Sequence, residues 1–166
     1  MILHKVNVQL SSDIAPEYLQ ACIIERAVND TLASEAVDIL CVVNVLLTDD
    51  EGIRMYNREF RKTDKATDVL SFPMQTFSYE GWNGLTDAEI DEDTGDLPLG
   101  DIILSMESLE RQAEEYNNHI DYELAYLTIH STLHLLGYDH TDGISEKTMH
   151  KKNKSIINDI GFGVND

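Results

Sequence analysis

Three of the six histidines fall within eleven residues, His130-Ser131-Thr132-Leu133-His134-Leu135-Leu136-Gly137-Tyr138-Asp139-His140. On a helix, side chains four apart lie one turn above each other, so His130 and His134 would share a face. Gly137 can end that helix, because it takes the left-handed conformation that side chains resist. After the reversal, His140 can swing back towards the first two. Three neutral imidazoles around one divalent ion, with a fourth position left to water, make a catalytic rather than a structural zinc site. Ordinary core or surface histidines are the competing reading, one that three of them with a glycine hinge disfavour.

The spacing resembles that of the metzincin proteases, H-E-x-x-H-x-x-G-x-x-H. Their general base is the Glu after the first His, and Ser131 stands there in this chain. A serine cannot take a proton near neutral pH, so a peptidase working by that route lacks its base.

The elements that must position these residues alternate in type. Val6, Val8 and Leu10 alternate with polar residues, as in a strand. Pro16 suits the first turn of a helix through about Asn29. Asp38 to Leu47 is almost continuously apolar and reads as a buried strand, with Asn44 its odd polar member. Thr48-Asp49-Asp50-Glu51 reads as a capping box opening a helix that ends near Phe60. Thr67 to Pro73 and Gly100 to Met106 are two further strands, with a charged helix from Glu107 to Asn118 between the second and the histidine motif. Asp121 to Leu136 is the apolar helix carrying His130 and His134. Ser145 to Ile160 is the last helix, with Gly161 its stop. The expected class is therefore α+β, a single small mixed sheet of about four strands packed with about five helices. A length of 166 residues suits one domain, residues 1–166.

The formal net charge of −19 argues against a nucleic-acid partner until its distribution is considered. Five of the twelve basic residues lie between Arg54 and Lys65 (Arg54, Arg58, Arg61, Lys62, Lys65), and four more (Lys147, Lys151, Lys152, Lys154) form a run without an acid. Either patch can be a solvated helix face or a polyanion site; the second follows the histidine motif directly. The segment of about residues 78–98 is the one composition shift, rich in acids and glycine with a lone Trp82. It reads as a mobile acidic insertion, with metal binding by its carboxylates as the alternative. Cys22 and Cys41 lie in apolar surroundings without a CxxC partner and read as reduced core residues of a cytoplasmic protein. Met1 to Leu10 is too short for a signal peptide, and no run approaches membrane length.

The histidine motif resembles that of the YbeY family of bacterial endoribonucleases, H-G-x-L-H-L-x-G-Y-D-H. Further stretches match in family order: Asn57-Arg58-Glu59-Phe60-Arg61, Thr67-Asp68-Val69-Leu70-Ser71-Phe72-Pro73, Leu99-Gly100-Asp101-Ile102 and Gln112-Ala113-Glu114-Glu115-Tyr116. The resemblance implies a zinc-dependent, single-strand-specific RNA hydrolase holding one ion on His130, His134 and His140. It also implies an essential arginine at Arg61. The implied setting is maturation of small-subunit ribosomal RNA at its 3′ end and ribosome quality control, with the small subunit and its proteins as partners. Ser131 departs from the family glycine and could crowd or bond the metal's water, and the acidic segment is longer than the family's connection. The alternatives are a metalloprotease-like peptidase and a non-catalytic ribosome-assembly factor with a structural zinc.

Arg61 has the chemistry for its implied role, since a planar guanidinium can bond two oxygens of a phosphodiester. Its competing reading is a surface ion pair with Asp64 or Glu59. Asp139 could orient a ligand imidazole or only shape the turn. Tyr138 reads as packing rather than as an acid. His4 and His119 read as surface residues, His150 as a weak phosphate contact, and Met149 as core or as packing under the metal site. No residue is an obvious acid for the leaving oxygen.

Overall fold

The computed structural model describes residues 2–11, 18–77, 81–82, 84, 89–139 and 143–162. Strands β1 (Lys5–Leu10), β2 (Cys41–Thr48), β3 (Val69–Pro73) and β4 (Leu97–Ser105) form one mixed sheet in the order β1-β2-β4-β3. β1, β2 and β4 are parallel, and β3 runs antiparallel along the outer edge of β4. Helices α1 (Tyr18–Ser34), α2 (Asp50–Arg61), α3 (Met106–Glu115), α4 (Ile120–Leu135) and α5 (Gly143–Ile157) cover the sheet, and α5 runs into a π-helical turn, Asn158–Phe162. The α+β architecture expected from the sequence is the one observed.

The main core joins Val43, Val45, Leu47, Ile102 and Leu104 of the sheet to Ile24 and Leu32 of α1 and to Leu124, Ile129 and Leu133 of α4. A smaller cluster, Ile53, Leu70 and Ile103, seats α2 on the opposite face. α4 is apolar nearly all round and correspondingly buried, which makes it the central helix. Its buried hydroxyls stay local: Thr128 donates to the Leu124 carbonyl and Thr132 to that of Thr128, both at 2.7 Å. Gly100, at φ +154°, lets α4 and β3 close on β4, since a Cβ there would stand 2.5 Å from the Phe72 carbonyl and 2.7 Å from Leu135.

Several boundaries differ from expectation for local reasons. α1 continues past Asn29 to Ser34 because Asn29 finds partners within the helix and outside it. Its amide donates to the Glu25 carbonyl, and its oxygen accepts from the His4 backbone. Pro16 lies outside the described residues. The N-cap of α2 is Asp49, not Thr48; its carboxylate accepts from the Gly52 amide at 2.8 Å while Thr48 completes β2. Asn44 is exposed on the sheet face that α2 leaves open, donating to Asp101 and accepting from Asn7. β2 is therefore buried on one face only at that point. β4 starts at Leu97, inside the segment read as an acidic insertion. The described part of that segment is tied down: Gln75 exchanges hydrogen bonds with Glu89, Asp96 pairs with Lys5 at 2.7 Å, and Trp82 donates to Asp38. Gly161, the expected stop, has φ +104°.

His4 is a correction. It is buried rather than at the surface, its Nδ1 accepts from the Cys41 amide at 2.9 Å, and burial lowers its pKa. Cys41 is the core residue expected, its thiol pushed up to about 12 by burial. His119 is exposed and caps α4, accepting from the Asp121 amide. Among the described residues, no helix is long and apolar enough to cross a membrane.

Candidate metal centre and its cleft

His130 and His134 share one face of α4, and their Nε2 atoms stand 3.0 Å apart with the rings nearly perpendicular. The Nδ1 of His134 lies 2.8 Å from the Tyr138 carbonyl. A carbonyl only accepts, so Nδ1 carries the proton and Nε2 presents a lone pair. Two ring nitrogens meeting this way share either a proton or a cation. The fit to a cation is good: two tetrahedral ligands at the usual Zn–N distance are about 3.3 Å apart.

The loop that holds this geometry begins at Gly137, whose φ of +95° turns the chain back over the end of α4. Gly137 and Tyr138 then donate to the carbonyls of His134 and Leu133. The Tyr138 carbonyl is thereby delivered to His134, fixing the tautomer as the partner of a ligand imidazole does. Asp139, expected either to orient an imidazole or only to shape the turn, lines the cleft. The third expected ligand, His140, lies outside the described residues. Among the described residues, no group of three His, Cys, Asp or Glu side chains converges as a metal site.

A cleft of about 650 Å³ opens in front of the two histidines, walled on the far side by β3 and by Arg61. Arg61 is the last residue of α2, and Lys62 stops the helix with a left-handed φ of 58°. The ion pair considered for Arg61 does not form: Asp64 is taken by Arg54 at 2.8 Å, and among the described residues no carboxylate pairs with Arg61. Arg61 instead donates to the Ser71 carbonyl on the free edge of β3 and lies over the Phe72 ring, 5.2 Å from its centroid. The guanidinium is thus aimed by neutral groups and keeps its charge for the cleft.

Asp68, also in the cleft wall, was not singled out in the sequence. It accepts from the Val69 amide at 2.8 Å and from Gln112 at 2.9 Å, which pins the start of β3 to α3. Ser131 is fully buried and does not line the cleft, so it neither crowds the open position nor stands where a metzincin base would act. Met149 is core.

A second group of residues supports the loop from behind. Lys152 of α5 bonds Glu35 at 3.0 Å and stands 5.4 Å from the Tyr138 ring centroid. Burial pushes the Tyr138 hydroxyl up to about 12, with the Glu35 carboxylate adding to the shift. Nothing in residue spacing announced this cluster, because its members are distant in the chain.

The family profile described as Endoribonuclease YbeY matches residues 6–161. A protein named Endoribonuclease YbeY from Agathobacter rectalis is 39% identical over 144 residues, 84% of this chain and 87% of the relative. One of the same name from Acetivibrio thermocellus is 38% identical over 156 residues, 94% of both chains. The solution structure of a Thermotoga maritima protein superposes with a TM-score of 0.60 at 26% identity, covering 93% of this chain and 88% of that one.

Proposed function

The chain belongs to the YbeY endoribonuclease family, and from that premise we propose a zinc-dependent hydrolase that cuts single-stranded RNA at the cleft between α4 and β3. The observation that carries the site assignment is the pair of Nε2 atoms 3.0 Å apart facing a guanidinium that has no carboxylate partner among the described residues. In this reading His130, His134 and His140 hold one ion, and Arg61 holds the phosphodiester. When bound, the ion supplies Lewis acidity towards a phosphoryl oxygen and the attacking water.

The chain's own residues do the rest. His134 is held in the tautomer that presents Nε2 by the Tyr138 carbonyl. Arg61 offers its fork to a phosphate whose charge grows in the transition state, from a position set by the Ser71 carbonyl. Asp68 stands in the same wall as β3 and Arg61, and its negative charge turns a polyanion towards the guanidinium. The setting we propose is maturation of small-subunit ribosomal RNA at its 3′ end in the cytoplasm, with ribosomal proteins as partners.

Incubating the protein with unstructured RNA and with unfolded casein, each with and without chelator, tests this reading. Zinc-restored cleavage of RNA alone is expected. Intact RNA beside cleaved casein would overturn it in favour of a peptidase.

A further inference from the structure

The histidine face of α4 does not begin at His130. Tyr122, Tyr126, His130 and His134 recur every four residues and form one stripe about 18 Å long. Tyr122 and Tyr126 are stacked with centroids 6.2 Å apart. α5 lies alongside, and its basic run divides between two directions. Lys152 bonds Glu35, and Lys147, His150 and Lys154 share the face towards the stripe. The Tyr126 hydroxyl and His150 Nδ1 are 3.1 Å apart, and Lys154 donates to the Tyr122 hydroxyl at 3.2 Å. Between them lies a cavity of about 560 Å³ walled by Tyr126, Leu127, His130, Lys147, Met149 and His150. His130 lines both this cavity and the cleft holding Arg61, so it is the partition between them.

We propose that this seam between α4 and α5 is the track for the RNA next to the cut, with the flanking nucleobase seated in the cavity and its phosphates met by Lys147 and Lys154. The inference rests on the endoribonuclease reading and extends it from the reacting phosphate to the adjoining nucleotide. Aromatic rings interleaved with cations are what a single strand requires, because every unpaired base has a face to stack and every linkage a charge to neutralise. Glu146 also lines the cavity. Its carboxylate repels a phosphate but accepts from an exocyclic amine, so the base enters there and the backbone stays outside. A duplex, whose bases are stacked on each other, cannot use the cavity.

The test uses the purified full-length protein and a short unstructured RNA made resistant to cleavage with phosphorothioate linkages. The double substitution Lys147→Gln with Lys154→Gln should lower the slope of log affinity against log salt by about 1.4, the share of two single-strand phosphates. Tyr126→Leu should weaken binding about tenfold and raise KM on cleavable RNA by the same factor with kcat near wild type, while Tyr126→Phe keeps the stacking face and binds as wild type. Should Tyr126→Leu melt early, His150→Ala and Lys147→Gln at exposed positions decide the matter by the same readouts. Wild-type slope and KM in all of these, with Arg61→Ala alone impaired, would overturn the seam and leave the endoribonuclease reading standing. That is also the result if the seam receives a protein. A wild type that neither binds nor cuts RNA would overturn both.

Discussion

Replacing Arg61 separates a phosphate clamp from a structural residue, because its contacts allow the two costs to be worked out independently. Among the described residues, the Arg61 side chain makes one hydrogen bond, to the Ser71 carbonyl, and one cation–π contact, to Phe72. An exposed contact of the second kind contributes about 0.5–1 kcal/mol, and a hydrogen bond about 0.5–1.5 kcal/mol. No acid is left stranded, since Asp64 already belongs to Arg54. Arg61→Ala should therefore destabilise by at most about 1–2.5 kcal/mol, leaving a folded protein with its metal. Removing one pre-aimed donor from a developing oxyanion costs about 10²–10³ in rate, or about 2.7–4 kcal/mol. Arg61→Lys keeps the charge but loses the fork and should fall between wild type and alanine. Urea melts, metal analysis and single-turnover cleavage of unstructured RNA on the same preparations give the comparison. The reasoning fails if Arg61→Ala cuts at the wild-type rate, or if its rate loss is matched by an equal loss of stability.

His134→Ala should purify with its metal content reduced to near background, whereas His119→Ala, at the exposed cap of α4, should retain it, both read by elemental analysis. Lys152→Met should cost about 3 kcal/mol in urea melts, because it leaves the Glu35 carboxylate, 7% exposed, without its cation. The double substitution with Glu35→Gln should cost less than the sum. Glu35 and Tyr138 raise the Lys152 pKa against the burial that lowers it, and Tyr138 sits at about 12. Both folded values lie above the unfolded ones, so this stabilisation is complete below about pH 10 and is lost as the pH climbs through the folded values. Asp50 behaves in the opposite sense. Burial opposes its charge, but Arg111, Ser105 and Ser108 hold its pKa down to about 2. Its contribution is present above about pH 4 and disappears as the pH falls towards 2. After discounting for solvent, Asp50→Asn should cost about 1 kcal/mol at neutral pH and almost nothing near pH 2, again by urea melts.

What could be read from the sequence were features carried by local spacing. The helix bearing His130 and His134, its stop at Gly137, the four strands and the basic character of α5 all leave signatures within a few residues. What could not be read depends on partners brought together by the fold. Asn29 looks like a helix end until the His4 backbone bonds its side chain, and His4 itself looks exposed until Cys41 takes its Nδ1. Asn44 interrupts an apolar run because it belongs to a ladder with Asn7 and Asp101 on an open face. Arg61 had two plausible partners close in sequence, and the structure gives one of them to Arg54 and sends Arg61 to an edge strand ten residues on.

Tyr138 shows most clearly why the motif's letters have to be read through the backbone. Its carbonyl meets His134, its amide returns to Leu133, and its ring is buried under Lys152. Gly81, which donates to the Leu136 carbonyl, packs so close that a Cβ there would stand 2.5 Å from the Tyr138 hydroxyl. One aromatic ring thus joins α5, the end of α1 and the acidic segment to the loop that sets the ligand tautomer. The contact that acts on the imidazole is a main-chain oxygen, which any residue possesses. What a tyrosine adds is a side chain large enough to be gripped on several sides, so that this oxygen cannot drift. A smaller residue would keep the hydrogen-bonding group and lose its fixed position. The acidic segment, docked behind the loop through Gly81, thereby helps to hold the site without lining its cleft among the described residues.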